Sequence, residues 1–357
     1  MASSKFIVDL KDFEIVKSLG TGSYGETYLV EQKNTNNQYV AKVSKQKYSE
    51  NSKQKTFSNR ISSSIKAQNP AVLNYIGFSY TNFVDEDFPT IITDFMPNGT
   101  LSQTLEQESA GKFVKNWNGT KKLINILGIA LGMQYLHSKD IINRDLKPSN
   151  ILLDENMYPH ISDFTNYRLI KTISEEFKEN DTCTSIYTAP EVFFEEKYTN
   201  KVDVYSFAYI TYEIVLGRPI KLQEGEDLHN FMNGINEKGK RPDISMIAAP
   251  AVKDLLEKCW NKDPYKRPSF DRIVELVGSS DFYTPFNIDK NEVVSYLNLF
   301  PDDVKGKKFA LKQLDSDILD DQKRLEKLHN RKNPLRMFVI FIIILIIQVF
   351  IKQNFMS

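Results

Sequence analysis

A short loop at residues 142–150 contains three side-chain types that phosphoryl transfer requires: an acid, Asp145, a lysine, Lys147, and an amide, Asn150. The acid can accept the proton of an attacking hydroxyl, the lysine can hold a phosphate, and the amide oxygen can bind a metal ion. The loop lies between two apolar segments, and a polar surface turn is the alternative interpretation. The choice depends on whether a phosphate-binding loop and a second metal-binding acid occur elsewhere in the chain.

Three glycines, Gly20, Gly22 and Gly25, form a candidate phosphate-binding loop. Glycine lets the backbone approach a phosphate closely, because no Cβ is in the way. The glycines lie between two segments of alternating polar and apolar residues, 13–19 and 26–32, which predict the two strands of a hairpin. A dinucleotide-binding fold is excluded, because a helix should follow its glycines and a strand follows here.

Lys42 and Asp163 complete the set of candidate groups. Lys42 lies in a third predicted strand, residues 38–43, where an ordinary solvated lysine is the alternative. Asp163 follows Asp145 by eighteen residues and comes after the short apolar segment 151–153 and a turn. At this separation the two carboxylates can converge on one magnesium–phosphate site.

The elements that must position these groups change character along the chain. Three strands are predicted within the first 43 residues and a fourth at 90–93, whereas the second part of the chain is helical. Helices are predicted at 122–137, 202–216, 251–260 and 270–277. This order predicts an α+β protein of two lobes that meet near Met96, with a ligand cleft between them.

The order and spacing of these motifs resemble the eukaryotic protein kinase family over residues 13–277. Further segments carry the resemblance: Tyr187-Thr-Ala-Pro-Glu191, Asp203-Val-Tyr-Ser-Phe207 and Cys259-Trp-Asn-Lys-Asp-Pro-Tyr-Lys-Arg-Pro-Ser-Phe270. The last of these segments and Pro97-Asn-Gly-Thr-Leu101 are similar to the tyrosine-kinase-like branch, whereas Lys147 is typical of serine/threonine kinases. The resemblance implies a bilobal kinase fold with an antiparallel β-sheet N-lobe at about 13–95 and a helical C-lobe at about 97–277.

The resemblance also implies a role for each candidate residue. The activity would be transfer of the ATP γ-phosphate to serine or threonine of a protein substrate, with Mg²⁺. Asp145 would accept the hydroxyl proton and Lys147 would steady the phosphate, while Asn150 and Asp163 would bind magnesium. Glu191 would pair with Arg267, and Asp203 would brace the catalytic loop. The implied ATP-binding residues are Leu19, Gly20, Gly22, Gly25, Thr27, Ala41, Lys42, Thr93, Asp94, Met96 and Leu152.

Four positions depart from the family pattern. A helix with a narrow apolar stripe is predicted within residues 45–66, and its Arg60 stands where a glutamate should pair with Lys42. Asn143 replaces the usual histidine before Arg144. Thr165 replaces a glycine, and Thr27 replaces a valine over the adenine. These changes affect positioning, so a pseudokinase that binds nucleotide or a partner without phosphotransfer is the alternative to an active enzyme. Hydroxyls that could accept a regulatory phosphate are Thr172, Ser174, Thr182, Thr184 and Ser185. Ordinary loop hydroxyls are the alternative, and Thr184 could instead shape the substrate pocket.

The C-terminal part, residues 278–357, lies beyond the resemblance. A charged, partly helical extension is predicted at 278–334, with a helix from about 309 to 331. An apolar segment of fifteen residues, 337–351, would span roughly 22 Å as a helix, and flanking residues extend it toward the roughly 30 Å of a bilayer core. We therefore predict a transmembrane helix at 335–355, with a buried helix or an aggregation-prone strand as alternatives. Six basic residues precede this segment and one follows it, which predicts a membrane-anchored protein whose kinase domain faces the cytosol.

Composition limits the remaining partners. The net charge is zero, which gives no support for binding nucleic acid. The two cysteines, Cys183 and Cys259, are not spaced with histidines as in a zinc site, and free thiols are expected. The sequence makes no prediction about the oligomeric state.

Overall fold

The computed structural model describes residues 6–22, 24–48, 54, 57–58, 61, 68–162, 168–169, 185–194, 196–222 and 225–330. Only the backbone is described at 168–169 and 325–330. The predicted sites Asp163, Arg60 and Thr165, and the predicted transmembrane helix, lie outside these residues.

A five-stranded antiparallel sheet forms the N-terminal part, in the order β1-β2-β3-β5-β4. The strands are β1 (Phe13–Thr21), β2 (Gly25–Gln32), β3 (Gln38–Ser44), β4 (Tyr75–Ser79) and β5 (Thr90–Asp94). The predicted strands at 13–19, 26–32, 38–43 and 90–93 are therefore confirmed. One face of the sheet buries a small core that includes Val30, Ala41 and Ile92. In the predicted helix before β4, Phe57 and Ile61 are helical and buried, as the apolar stripe requires.

The C-terminal part is helical around a large apolar core. Its helices within the predicted C-lobe are α1 (Leu101–Ser109), α2 (Gly119–Ser138), α3 (Pro190–Phe193), α4 (Lys201–Leu216), α5 (Leu228–Lys238), α6 (Pro250–Cys259) and α7 (Phe270–Val277). Four short strands, β6 (Ile141–Ile142), β7 (Ile151–Leu153), β8 (Pro159–Ile161) and β9 (Arg168–Leu169), form two antiparallel pairs, β6 with β9 and β7 with β8. The four predicted helices correspond to α2, α4, α6 and α7.

Helices α2 and α4 form the centre of this part. In α2, 15 of the 20 residues are buried, and in α4 the buried residues run without a break from Val202 to Ile214. A helix that is apolar all round has to be enclosed on every side, and these two helices contact each other. After α2 the chain passes through the exposed Lys139 and Asp140 and then becomes buried again in β6, where the loop at residues 142–150 begins.

Residues 278–330 pack against the predicted C-lobe through three helices, α8 (Ser280–Tyr283), α9 (Lys290–Leu297) and α10 (Lys307–Asn330). Gly128 of α2 has no room for a side chain, because a Cβ there would lie 2.2 Å from the Tyr296 hydroxyl of α9. Leu297, Ala310 and Leu314 are buried in the same core as α2. The extension is therefore a part of the C-lobe core, which its charged sequence did not indicate.

Within the described ranges, which end at residue 330, no helix combines the length and the apolar character that a membrane span needs.

Candidate active site

The side chains of Asp145, Lys147 and Asn150 meet in one hydrogen-bonded cluster. The Lys147 amine lies 2.8 Å from both carboxylate oxygens of Asp145. The Asn150 amide nitrogen donates to the Asp145 carbonyl at 2.8 Å and to its carboxylate at 2.9 Å. The three chemical groups predicted from the loop sequence therefore lie together, and the Asp145 carboxylate is held from two sides.

The loop backbone is fixed by a carboxylate on the central helix α4. Asp203 is fully buried and accepts hydrogen bonds from the backbone N–H groups of Asn143 and Arg144, both at 2.9 Å. Arg144 has a left-handed backbone with a φ of 66°, which costs a non-glycine residue about 1–2 kcal/mol. The bond from its N–H to Asp203 helps to hold this conformation, and the predicted bracing role of Asp203 is confirmed.

Asn150 also anchors the strand that leads toward the second predicted metal ligand. Strands β7 and β8 pair with Ile151 opposite Ile161. The next residue, Ser162, donates to the backbone carbonyl of Asn150 through its N–H at 2.8 Å and through its hydroxyl at 2.9 Å. Asp163 itself lies outside the described residues.

The chemistry of Asn150 fits a magnesium ion. Its side-chain nitrogen makes both bonds to Asp145, which leaves the side-chain oxygen for a cation. Oxygen is the ligand atom that Mg²⁺ prefers. A bound Mg²⁺ would neutralise phosphate charge. Among the residues that the structure describes there is no cluster of three metal-binding side chains.

The glycine loop joins β1 to β2, as predicted. The Gly22 N–H donates to the Gly25 carbonyl at 2.8 Å and closes the turn. Gly25 has to be a glycine, because a Cβ would lie 1.7 Å from the carbonyl oxygen of Val43 in the adjacent strand. The first glycine, Gly20, has a φ of 128°, and Leu19 next to it is exposed.

Lys42 lies in β3, which pairs with β2 on one side and with β5 on the other. Thr27 of β2 pairs with Lys42 of β3, and the neighbouring Ala41 is fully buried. The position predicted to pair with Lys42, Arg60, is not described, so its effect on Lys42 stays a prediction.

The predicted hinge follows directly from β5. Thr93 is buried at the end of the strand, and the Asp94 N–H donates to the Asn74 carbonyl at 3.1 Å. Burial raises the pKa of the Asp94 carboxyl, although a hydrogen bond from the Asn74 side chain partly opposes this. Met96 and Leu152 are partly buried against the large core.

The segment after the hinge pairs with β7. The Leu153 N–H donates to the Gly99 carbonyl at 2.9 Å, and Thr100 forms a bridge with Leu152. The hinge and the strand that follows Asn150 are therefore adjacent.

Two further carboxylates, Glu191 and Glu213, are buried in the helical part. Glu191 forms a bidentate pair with Arg267, with nitrogen–oxygen distances of 2.6 and 3.0 Å, as predicted. Glu213 of α4 pairs with no cation among the residues that the structure describes: one of its oxygens accepts from the Tyr187 hydroxyl at 2.8 Å and from the Ile220 N–H at 2.6 Å. Burial raises the pKa of Glu213 to about 7.

Comparison with known proteins agrees with this arrangement. The protein kinase domain family matches residues 13–277, about three quarters of the chain. The chain belongs to the protein kinase family.

Individual relatives are serine/threonine and dual-specificity kinases. The chain is 28% identical to the dual specificity protein kinase shkB of Dictyostelium discoideum over 333 residues, which cover 84% of this chain and 49% of the relative. It is 30% identical to the serine/threonine-protein kinase STY17 of Arabidopsis thaliana, over 76% of this chain and 45% of that protein. Its identity to the serine/threonine/tyrosine-protein kinase HT1 of the same plant is 33%, over 54% and 47% of the two chains.

These matches cover less than half of each relative's own length. The two plant kinases belong to the tyrosine-kinase-like branch, so the predicted resemblance to that branch is confirmed.

Sequence reasoning missed two residues of the kinase's support structure, His137 and Glu213. The His137 ring nitrogen lies 2.8 Å from the Asp203 carboxylate oxygen that also accepts from the Asn143 N–H. A signal for Glu213 was present, because it is one of two acids in a helix that is otherwise almost wholly apolar. An acid in such a helix has to find hydrogen-bond donors inside the fold. Of the hydroxyls predicted to accept a regulatory phosphate, only Ser185 lies within the described residues.

Proposed function

We propose that this kinase transfers the γ-phosphate of ATP, with Mg²⁺, to serine or threonine hydroxyls of a protein substrate. The observation that carries the proposal is the cluster of Asp145, Lys147 and Asn150. The substrate oxygen would bond to the γ-phosphorus while the bond to the oxygen that bridges the β- and γ-phosphates breaks. ADP leaves, and the hydroxyl proton passes to the Asp145 carboxylate.

Each described residue has a role in this reaction. Lys147, 2.8 Å from Asp145, would stabilise charge on the transferring phosphate. Lys42 would bind the α- and β-phosphates beneath the glycine loop, and Asn150 would hold Mg²⁺. Thr93, Asp94 and Met96 would contact the adenine. Positioning supplies most of the rate in such enzymes, so the bonds that hold the loop matter as much as the groups themselves.

Substitution of Asp145 tests the proposal. In the full-length chain, Asp145→Asn keeps the shape of the side chain but removes the proton acceptor, and we expect transfer from labelled ATP to fall by at least about 100-fold. Asp140→Asn makes the same chemical change at an exposed position outside the loop and should leave transfer unchanged. Undiminished transfer by Asp145→Asn would contradict the proposal.

Serine/threonine specificity rests on Lys147 and on the names of the relatives. One relative is named a dual specificity kinase and another a serine/threonine/tyrosine kinase, so tyrosine transfer is the competing outcome. Phosphoamino acid analysis of the labelled substrate separates the two, and phosphotyrosine as the main product would contradict the proposed specificity.

A pseudokinase is the second candidate function, and the departures at Arg60, Asn143 and Thr165 favour it. In this case ATP would raise the thermal midpoint of the chain without any transfer to a substrate. That combination in the unmodified chain, under conditions that activate related kinases, would replace the first proposal with this one.

We also propose that residues 335–355 anchor the kinase in a membrane with its catalytic domain in the cytosol. The support is the sequence alone: an apolar segment with basic residues concentrated on its N-terminal side. Resistance of the expressed chain to extraction at alkaline pH tests the anchor, and digestion of the kinase domain by external protease in intact vesicles tests the orientation. Release by alkaline carbonate would contradict the anchor.

A further inference from the structure

The side chain of Asn143 is buried inside the catalytic loop, with 1% of its surface exposed. Its carbonyl oxygen accepts a hydrogen bond from the backbone N–H of Asp145 at 3.0 Å. Its amide nitrogen is also buried and has no hydrogen-bond partner in the part of the chain that the structure describes. The residue therefore uses one half of its amide group and leaves the other half unsatisfied.

Three successive backbone N–H groups of this loop, those of residues 143, 144 and 145, point into the protein and need acceptors. Asp203 accepts from the first two. The third, that of Asp145, donates to the side-chain oxygen of Asn143. A bond from an asparagine side chain to the N–H two residues later is a known turn geometry, and the left-handed Arg144 between them turns the chain.

We propose that Asn143 is a positioning residue that fixes the backbone of Asp145 through its side-chain oxygen. The Asp145 carboxylate is held at its tip by Lys147 and Asn150, and Asn143 holds the other end of the same residue. Both ends together set the direction of the carboxylate toward a substrate hydroxyl. The substitution of the usual histidine is thus compensated within the loop. The inference rests on the proposed kinase function for its effect on turnover, but the contact itself does not.

This role has a signature that a purely structural role would lack. Asn143→Leu has a similar shape and removes both the acceptor for Asp145 and the unsatisfied amide nitrogen. The first change destabilises the fold and the second stabilises it, because an unpaired buried polar group is unfavourable. The thermal midpoint should therefore stay within about 3 °C of the unmodified chain. Turnover, in contrast, should fall, because the backbone of Asp145 is no longer fixed.

The test uses the full-length chain with Asn143→Leu and Asn143→Ser, since a serine hydroxyl can accept from the N–H two residues later. For Asn143→Leu we expect faster hydrogen–deuterium exchange in a peptide that covers residues 143–147. We also expect kcat to fall by about 10-fold, with the KM for ATP unchanged. Asn143→Ser should recover part of both the protection and the kcat.

Asn125→Leu is the matched control. Asn125 is also a fully buried asparagine, but it lies in α2 and donates to the Met157 carbonyl at 2.9 Å. Its substitution should lower the thermal midpoint and leave kcat and the exchange of residues 143–147 unchanged.

Several results would overturn the inference. Unchanged exchange in Asn143→Leu would show that the contact does not protect Asp145, and faster exchange with unchanged kcat would show that the contact has no positioning role. A loss of kcat that follows the loss of stability, with no recovery in Asn143→Ser, would indicate a structural role only. If the unmodified chain transfers no phosphate, the proposed function fails and the positioning role fails with it, while the exchange experiment still decides the contact.

Discussion

Two buried carboxylates on helix α4, Asp203 and Glu213, differ in how completely hydrogen-bond donors compensate for their burial. Asp203, near the start of the helix, shares three contacts between its two oxygens: two backbone N–H groups of the catalytic loop and the His137 ring. Glu213, near the end, receives two donors on one oxygen, and its other oxygen is buried without a partner among the described residues. Both side chains are fully buried.

The difference teaches what each acid can do. A carboxylate that is supplied with donors on both oxygens can hold a loop in one conformation, and Asp203 holds the residues before Asp145. A carboxylate with an empty oxygen is poorly compensated for its burial, and the pKa of Glu213 is accordingly raised to about 7. With this pKa, Glu213 should gain or lose its proton near neutral pH. The conformation of the catalytic loop depends on Asp203 instead.

The largest expected effect comes from removing the loop anchor. Asp203→Asn keeps the shape but replaces one acceptor oxygen with an amide group, which leaves at least one buried N–H of the loop unpaired. We expect a loss of about 3 kcal/mol in the free energy of unfolding, measured by urea denaturation, and loss of phosphate transfer. Asp254→Asn is the control, because Asp254 forms an exposed pair with Lys258 and should contribute less than about 0.5 kcal/mol. Equal losses of stability in Asp203→Asn and Asp254→Asn would show that Asp203 does not anchor the loop.

The second effect concerns pH. Because the pKa of Glu213 is raised from 4.5 to about 7 in the folded chain, the folded state retains a proton that the unfolded state loses. The contribution is fully present below pH 4.5 and is lost as the pH rises through about 7, which amounts to about 2 kcal/mol between pH 5.5 and 8. Glu213→Gln removes this dependence, so its free energy of unfolding should change less between these two pH values. An identical pH dependence in both chains would show that Glu213 does not titrate in this range.

The smallest effect comes from the tyrosine that contacts Glu213. Tyr187→Phe removes a hydrogen bond of 2.8 Å and should cost about 1 kcal/mol in the free energy of unfolding. This bond lowers the pKa of Glu213, so its loss should move the pH-dependent step to higher pH. In a chain that already carries Glu213→Gln the step should be absent with or without Tyr187, and a step that persists there must come from another group.

Much of the fold could be predicted because its strongest elements have strong local patterns. The alternation of residues 13–19 and 26–32 predicted β1 and β2, and the apolar content of residues 202–216 predicted an enclosed α4. The catalytic cluster could be predicted as well, since Asp145, Lys147 and Asn150 lie within six residues of one another and the chain cannot separate them far.

Other elements were missed for physical reasons. Thr100 precedes the first residue of α1, and its side chain and that of Gln103 each accept from the other's backbone N–H. This capping box is a local signal that could have been recognised. Strand β4 pairs with β5, but four of its five residues are buried, so its sequence lacks the alternation that is typical of a half-buried strand. The acceptor of the Asn143 and Arg144 N–H groups, Asp203, lies in α4 about 60 residues later in the chain, and no local pattern contains such a contact.

The packing of the extension was beyond prediction for the same reason. Its residues 278–306 have a mixed composition, and only the three-dimensional fit shows that α9 covers α2. A charged stretch at the end of a sequence resembles a solvated linker unless the surface that it covers is known.

The contact between Gly128 and Tyr296 has a consequence for how this kinase can diverge. Position 128 tolerates a larger residue only if position 296 becomes smaller, because a Cβ and the tyrosine hydroxyl would otherwise overlap. Relatives that carry the extension should therefore show covariation between these two positions. In relatives without it, position 128 is still limited by Pro159, whose Cγ would lie 2.6 Å from the same Cβ.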